Sequence, residues 1–176
     1  MGRIHLKVKR TDKVPEKKII VAWQNFYSIG IGLVDEQHKD LINLTNKLFE
    51  SCLAGKDKTR KAFIDTVHEA VDYTAYHFST EEKLMKRVNY PEFQHHKREH
   101  QEFVLEVVAK VEEFNSGKLF APLGFVYFLR DWVLHHIAVS DKKMGNHLLR
   151  MKMSGELQKL TLKVRKDETT KRMLIQ

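Results

Sequence analysis

Histidine and carboxylate side chains recur in this chain at spacings that suit metal chemistry. His77 and Glu81 stand four residues apart, and so do His96 and His100. On a helix, four steps of 100° leave such a pair about 40° apart, one turn above the other, so both side chains can grip one ion or two adjacent ones. His38 lies upstream of these pairs, and His136 and Asp141 lie downstream. Imidazole nitrogens with carboxylate oxygens suit first-row transition metals, and a carboxylate can bridge two of them, so a pair of iron ions is the expected occupant. The single cysteine, Cys52, rules out an intramolecular disulfide and any site built on several thiolates. It reads as a small apolar residue near a helix end.

The elements that must position these residues follow from the apolar periodicity. One helical stripe runs His38, Leu41, Ile42, Thr45, Leu48, Phe49 and Cys52, with Gly55 as its stop. A second runs Phe63, Val67, Ala70, Thr74, His77 and Glu81, and Asn89-Tyr90-Pro91 separates it from a third at His96, His100, Phe103, Val107, Val111 and Phe114. Asn115-Ser116-Gly117 ends the third. A fourth runs Phe125, Phe128, Leu129, Trp132, His136 and Val139, with Pro122 where an early helical proline is tolerated. Four long helices with short breaks predict an all-α, up-down-up-down four-helix bundle. Each helix places histidine or carboxylate on the face that should be apolar, which is costly unless something binds there. His136 and Asp141, five apart, would sit about 140° apart on a regular helix, which predicts a widened turn between Trp132 and Asp141.

Composition and charge narrow the function classes. The chain has 176 residues, 42% hydrophobic and 31% charged, with 8 Gly and 3 Pro, which fits one helical domain and excludes a collagenous or wholly disordered chain. Its start lacks the apolar core of a signal peptide, and its longest apolar run, Ala121 to Leu129, is nine residues against the roughly 18 needed to span a bilayer. No transmembrane segment and a cytoplasmic location are expected. The net charge of +8 is unevenly placed: residues 1–18 carry +5, residues 142–176 carry +7, and the body between them carries −4. An acidic body argues against nucleic-acid binding at the bundle.

The motifs, taken together, resemble the hemerythrin family, and bacterial hemerythrins in particular. They are Ile-Gly-Leu-Val-Asp-Glu-Gln-His38-Lys; His77-Phe-Ser-Thr-Glu81-Glu-Lys-Leu-Met; Tyr-Pro-Glu-Phe-Gln-His-His96-Lys-Arg-Glu-His100; and Trp132-Val-Leu-His-His136-Ile-Ala-Val-Ser-Asp141, with Trp23 upstream. The resemblance spans residues 19 to 145. It implies two non-haem irons with an oxo or hydroxo bridge, His96, His100 and His136 holding one, His38 and His77 the other, and Glu81 and Asp141 bridging both. It implies reversible dioxygen binding rather than turnover, with dioxygen bound end-on as a hydroperoxide at the two-histidine iron. Leu41, Phe78, Trp132, Val133 and Ile137 match the family's oxygen pocket. His5, His68, His95, His135 and His147 are left as structural or solvent-facing, and Glu82 as a solvated neighbour.

The expected organisation is a basic N-terminal arm over residues 1–18, the hemerythrin-like bundle over 19–145, and a basic C-terminal extension over 146–176. In that extension Leu149, Met153, Leu157, Leu160 and Val164 recur at helical spacing among Arg150, Lys152, Lys159, Lys163, Arg165 and Lys166. This amphipathic helix is expected to dock on the protein's own acidic body, with a protein partner or an anionic membrane as the other readings. Dioxygen is the expected ligand, in an oxygen carrier, store or delivery protein. The alternatives are a sensor of oxygen, nitric oxide or redox state that signals through the extension, and a di-iron redox enzyme acting on peroxide or nitric oxide.

Overall fold

The computed structural model describes residues 18–53, 56–116 and 122–151. The N-terminal arm and all but the first residues of the C-terminal extension lie outside them, as does the stop expected at Gly55. The elements are a short 3₁₀ turn at Asn25–Tyr27, α1 (Gly32–Leu53), α2 (Lys56–Arg87), α3 (Phe93–Asn115), α4 (Pro122–His136), a π-type turn (Ile137–Asp141) and α5 (Lys142–Arg150). There is no strand among the described residues. The four long helices form an all-α up-down-up-down bundle, in which α1 packs on α2 and α4, and α2 packs on α3.

The helix ends follow local chemistry. Before α1, the Asp35 carboxylate accepts hydrogen bonds from Ser28 Oγ at 2.7 Å and from the Ile29 amide at 2.8 Å, pinning the incoming loop to the first turn. Gly30 lies between them at φ 81°, a conformation that L side chains rarely adopt. After α2 the chain turns through Asn89 at φ 49°, and the Tyr90 amide donates to the Met85 carbonyl at 3.0 Å. Pro122 opens α4, where its missing N–H costs nothing. The Ile20–Val21 stretch is held on α1 by Asn46, whose amide oxygen accepts from both backbone amides while its nitrogen donates to the Val21 carbonyl.

Apolar packing lies to either side of a polar layer. One cluster joins Ile29, Ile31, Val34, Leu84, Met85, Val88, Met144 and Leu148; another joins Leu48, Phe63, Val67, Phe103, Val107, Phe125, Val126 and Leu129. Along α1, His38 falls between Val34 and Leu48, and along α2, His77 and Glu81 fall between Val67 and Leu84. Likewise His136 and Asp141 fall between Leu129 and Met144. α5 runs across the boundary expected at residue 145, and Leu148 is buried in one core cluster with Ile29, Leu84 and Met85. None of the described helices is long and apolar enough to cross a membrane.

Candidate metal centre

The widened turn expected after Trp132 is present. The α-helical pattern of α4 gives way at Ile137–Asp141 to a π-type turn before α5 resumes it. A turn that closes over five residues rather than four brings positions five apart onto one face, which accounts for the His136–Asp141 spacing. Both side chains are buried there, Asp141 completely.

All seven residues singled out by the sequence meet in the polar layer, and all are buried. Their ligand atoms form two overlapping groups, Glu81 with His96, His100 and His136, and His38 and His77 with Glu81 and Asp141. Each carboxylate divides its oxygens between the two sides. Glu81 Oε2 lies 3.4 Å from His96 Nε2 and 3.3 Å from His100 Nε2, while its Oε1 lies 3.7 Å from the Nε2 atoms of both His38 and His77. Asp141 Oδ1 lies 3.2 Å from His96 Nε2 and from His136 Nε2, and its Oδ2 lies 3.1 Å from His38 Nε2.

The donor set fits metal ions better than it fits itself. His136 Nε2 lies 3.1 Å from both His100 Nε2 and His96 Nε2. A ring nitrogen offers either one hydrogen or one lone pair, so His136 Nε2 cannot form a good hydrogen bond to both neighbours at once. Nitrogens bound about 2.1 Å from one ion at right angles would themselves be about 3.0 Å apart. Both oxygens of Glu81 and of Asp141, and both nitrogens of His38, are buried without a well-formed hydrogen bond. A buried carboxylate in that state is costly unless a cation completes it.

Electrostatics describe what the metal-free cage does instead. Burial opposes the charge on His38 and His96, but Asp141 and Glu81 outweigh it and raise them to about 9 and about 10. Burial lowers His77 to about 4 and also lowers His100. Burial alone would raise Glu81 and Asp141, yet the surrounding imidazoles hold both carboxyls below their ordinary range. The cage therefore balances its two carboxylates with two imidazolium groups.

The five residues expected near the oxygen pocket pack around the polar layer in overlapping groups. Leu41, Val133 and Ile137 share one buried cluster with Ile42 and Tyr27. Phe78 stacks on His100 with centroids 3.7 Å apart and also lies 5.8 Å from the His77 ring, while Trp132, which packs against the Leu41 cluster as well, stacks on His136 at 4.4 Å. An open cleft of about 590 Å³ between α3 and α4 reaches His136, lined by Glu99, Glu102, Glu106, Trp132 and His135 among others.

Several residues around the ligand atoms were not singled out by sequence. Gln37 Oε1 lies 3.2 Å from His77 Nδ1. Glu99 Oε2 lies 3.6 Å from His136 Nδ1, and Glu82 Oε1 lies 3.8 Å from His100 Nδ1, within ion-pair range though longer than a hydrogen bond. Glu82, expected as a solvated neighbour, is thus half-buried between His100 and Lys97. The signal available in the sequence was adjacency, since Gln37, Glu82 and Glu99 each directly flank a ligand-type residue. Among the other histidines, His68, His95 and His135 are exposed, His147 packs edge-on against Tyr90, and His5 lies outside the described residues.

A buried, histidine-rich double donor set inside an up-down four-helix bundle defines a non-haem metal-binding helical protein. The family model described as "Hemerythrin HHE cation binding domain" matches residues 29–148, and the chain belongs to the hemerythrin family. The bacteriohemerythrin of Stenotrophomonas maltophilia (strain R551-3) is 31% identical over 129 residues, covering 73% of this chain and 82% of that protein. That of Methylococcus capsulatus (strain ATCC 33009 / NCIMB 11132 / Bath) is 29% identical over 119 residues, covering 68% and 88%. A crystal structure of wild-type hemerythrin superposes with a TM-score of 0.67 at 28% identity, covering 73% of this chain and 98% of that one. Family membership together with the two donor groups supports a non-haem iron, oxygen-binding domain.

Proposed function

We propose that the chain binds dioxygen reversibly at a pair of non-haem irons, as an oxygen carrier, store or delivery protein rather than an enzyme. The observation that carries this reading is the division of Glu81 and Asp141, each with one oxygen toward the three-histidine side and one toward the two-histidine side. On this reading His96, His100 and His136 hold one iron, His38 and His77 hold the other, and the two carboxylates bridge them. Three protein nitrogens on one side and two on the other leave the two-histidine side with room for an exogenous ligand. When bound, the ferrous pair supplies one electron per ion to dioxygen and recovers both on its release.

The protein's own share is binding, orientation and exclusion of water. Leu41, Val133 and Ile137 share one buried apolar cluster, and on this reading they would wall the oxygen pocket, admitting a small apolar gas and disfavouring charged nucleophiles. Phe78 and Trp132 clamp the rings of His100 and His136 by stacking, fixing their planes. The test is iron content combined with optical spectra of the anaerobically reduced protein, after air, and after oxygen removal. Two irons per chain and a visible band that appears and disappears with oxygen are expected. Steady-state oxygen consumption with an electron donor, without such a band, would reject reversible binding in favour of redox turnover.

A further inference from the structure

We propose that Gln37 and Thr80 are positioning residues that set the tautomer of His77, placing hydrogen on Nδ1 and turning the Nε2 lone pair into the donor cluster. The proposal rests on the reading of His77 as a metal ligand and adds how that ligand is kept ready. Three short contacts carry it, all among residues on α1 and α2. Thr80 Oγ1 donates to the Tyr76 carbonyl at 3.1 Å, Gln37 Nε2 donates to Thr80 Oγ1 at 3.3 Å, and Gln37 Oε1 faces His77 Nδ1 at 3.2 Å.

The polarity of this chain follows from counting hydrogens. A threonine hydroxyl has one hydrogen, and the Tyr76 carbonyl, which can only accept, takes it. The hydroxyl is left with lone pairs, so the end of the Gln37 amide that faces it must be the nitrogen. The amide oxygen then faces His77, and an oxygen beside a ring nitrogen favours hydrogen on that nitrogen. A neutral imidazole with hydrogen on Nδ1 has its lone pair on Nε2, the atom that faces Glu81. Gln37, His77 and Thr80 are all nearly fully buried, so no bulk water competes for these positions. The partner is a neutral amide here, whereas His100 and His136 face carboxylates at Glu82 and Glu99. Of the Nδ1 atoms on these three rings, only that of His77 lies within hydrogen-bond distance of its neighbour.

Full-length protein decides the matter in two readouts. In ¹⁵N-histidine-labelled, metal-free chain, long-range nitrogen–proton correlations report which His77 nitrogen is protonated. The wild type is expected to show Nδ1–H, and Thr80→Val, which keeps the shape but lets the amide turn over, is expected to lose that form as the major one. In iron-loaded protein, Thr80→Val is expected to release one iron of the two to a ferrous chelator about tenfold faster, leaving the other rate unchanged. Thr80→Ser should restore both readouts, and Gln37→Met should reproduce the loss if Thr80→Val does not fold. Wild-type tautomer and release rates in Thr80→Val overturn the proposal, as does equal acceleration of both irons that Thr80→Ser leaves uncorrected. A wild type that binds no iron would overturn the functional reading, and the tautomer spectrum would still decide this one.

Discussion

At the scale of single residues, the proposed function puts its weight on two carboxylates and not evenly on the seven candidate ligands. Glu81 and Asp141 each face both histidine groups, whereas every histidine except His38 and His96 faces one carboxylate within ion-pair range of its Nε2. Removing a shared ligand should therefore empty both positions, and removing a terminal one should empty one. Glu81→Gln, which keeps the volume and removes the charge, is expected to bring iron below one per chain in metal analysis of purified protein. His38→Ala is expected to leave about one iron, held by His96, His100 and His136. Two irons retained in Glu81→Gln would remove Glu81 from the bridging role. The stacked rings make a separate prediction. Trp132→Leu, which removes the plane lying on His136, is expected to keep iron content near wild type while shifting any optical band that depends on that ring's orientation, as read in absorbance.

At the scale of elements, the π-type turn and α5 decide whether the fourth helix delivers its ligands. α5 lies so close to the loop before α1 that a β-carbon built on Gly145 would meet the Ile29 carbonyl oxygen at 2.7 Å and the Ile29 Cβ at 2.8 Å. Backbone cannot yield as a flexible side chain can, so Gly145→Ala is expected to destabilise the fold by about 1–3 kcal/mol. Thermal unfolding of the iron-loaded variant checks this, and an unchanged melting temperature would show that the loop gives way freely. The four helices and the odd His136–Asp141 spacing were legible in the sequence because periodicity records which side chains face inward. All four helices carry ligand-type residues on stripes where only burial with a partner makes sense. The contacts of Asn46 with Ile20 and Val21, and of Gly145 with Ile29, were not legible. They join segments far apart in the chain, or depend on how closely two backbones approach, and no period in one segment encodes that. The same limit hid the roles of Gln37 and Thr80, which depend on α1 and α2 being in register.

At the scale of the whole molecule, metal binding, protonation and folding are one equilibrium. In the metal-free protein His38 and His96 keep their protons up to about 9 and about 10, Glu81 and Asp141 are ionised, and His77 and His100 are neutral. Metal ligation needs unprotonated imidazole, so loading at neutral pH must expel protons from His38 and His96 while costing none at the carboxylates. Calorimetry of ferrous ion binding in buffers of different ionisation enthalpy is expected to show about two more protons released per chain near pH 7 than above pH 10, beyond any proton given up by water in forming a hydroxo bridge. The sign of the stability effect follows. A histidine whose folded value is raised stabilises the metal-free fold fully below its unfolded value of about 6.5, and that contribution is lost as pH rises toward the folded value. Over the same interval the metal competes with fewer protons and binds more tightly. The difference in melting temperature between iron-loaded and metal-free protein is therefore expected to widen steadily from pH 6.5 to about pH 9, because the metal-free form loses stability while the iron-loaded form, whose ligand histidines are unprotonated both folded and unfolded, stays level. A difference that stays constant across that interval would mean that the carboxylates are not balanced by His38 and His96 in the metal-free cage, and the buried charge would have to be compensated in some other way.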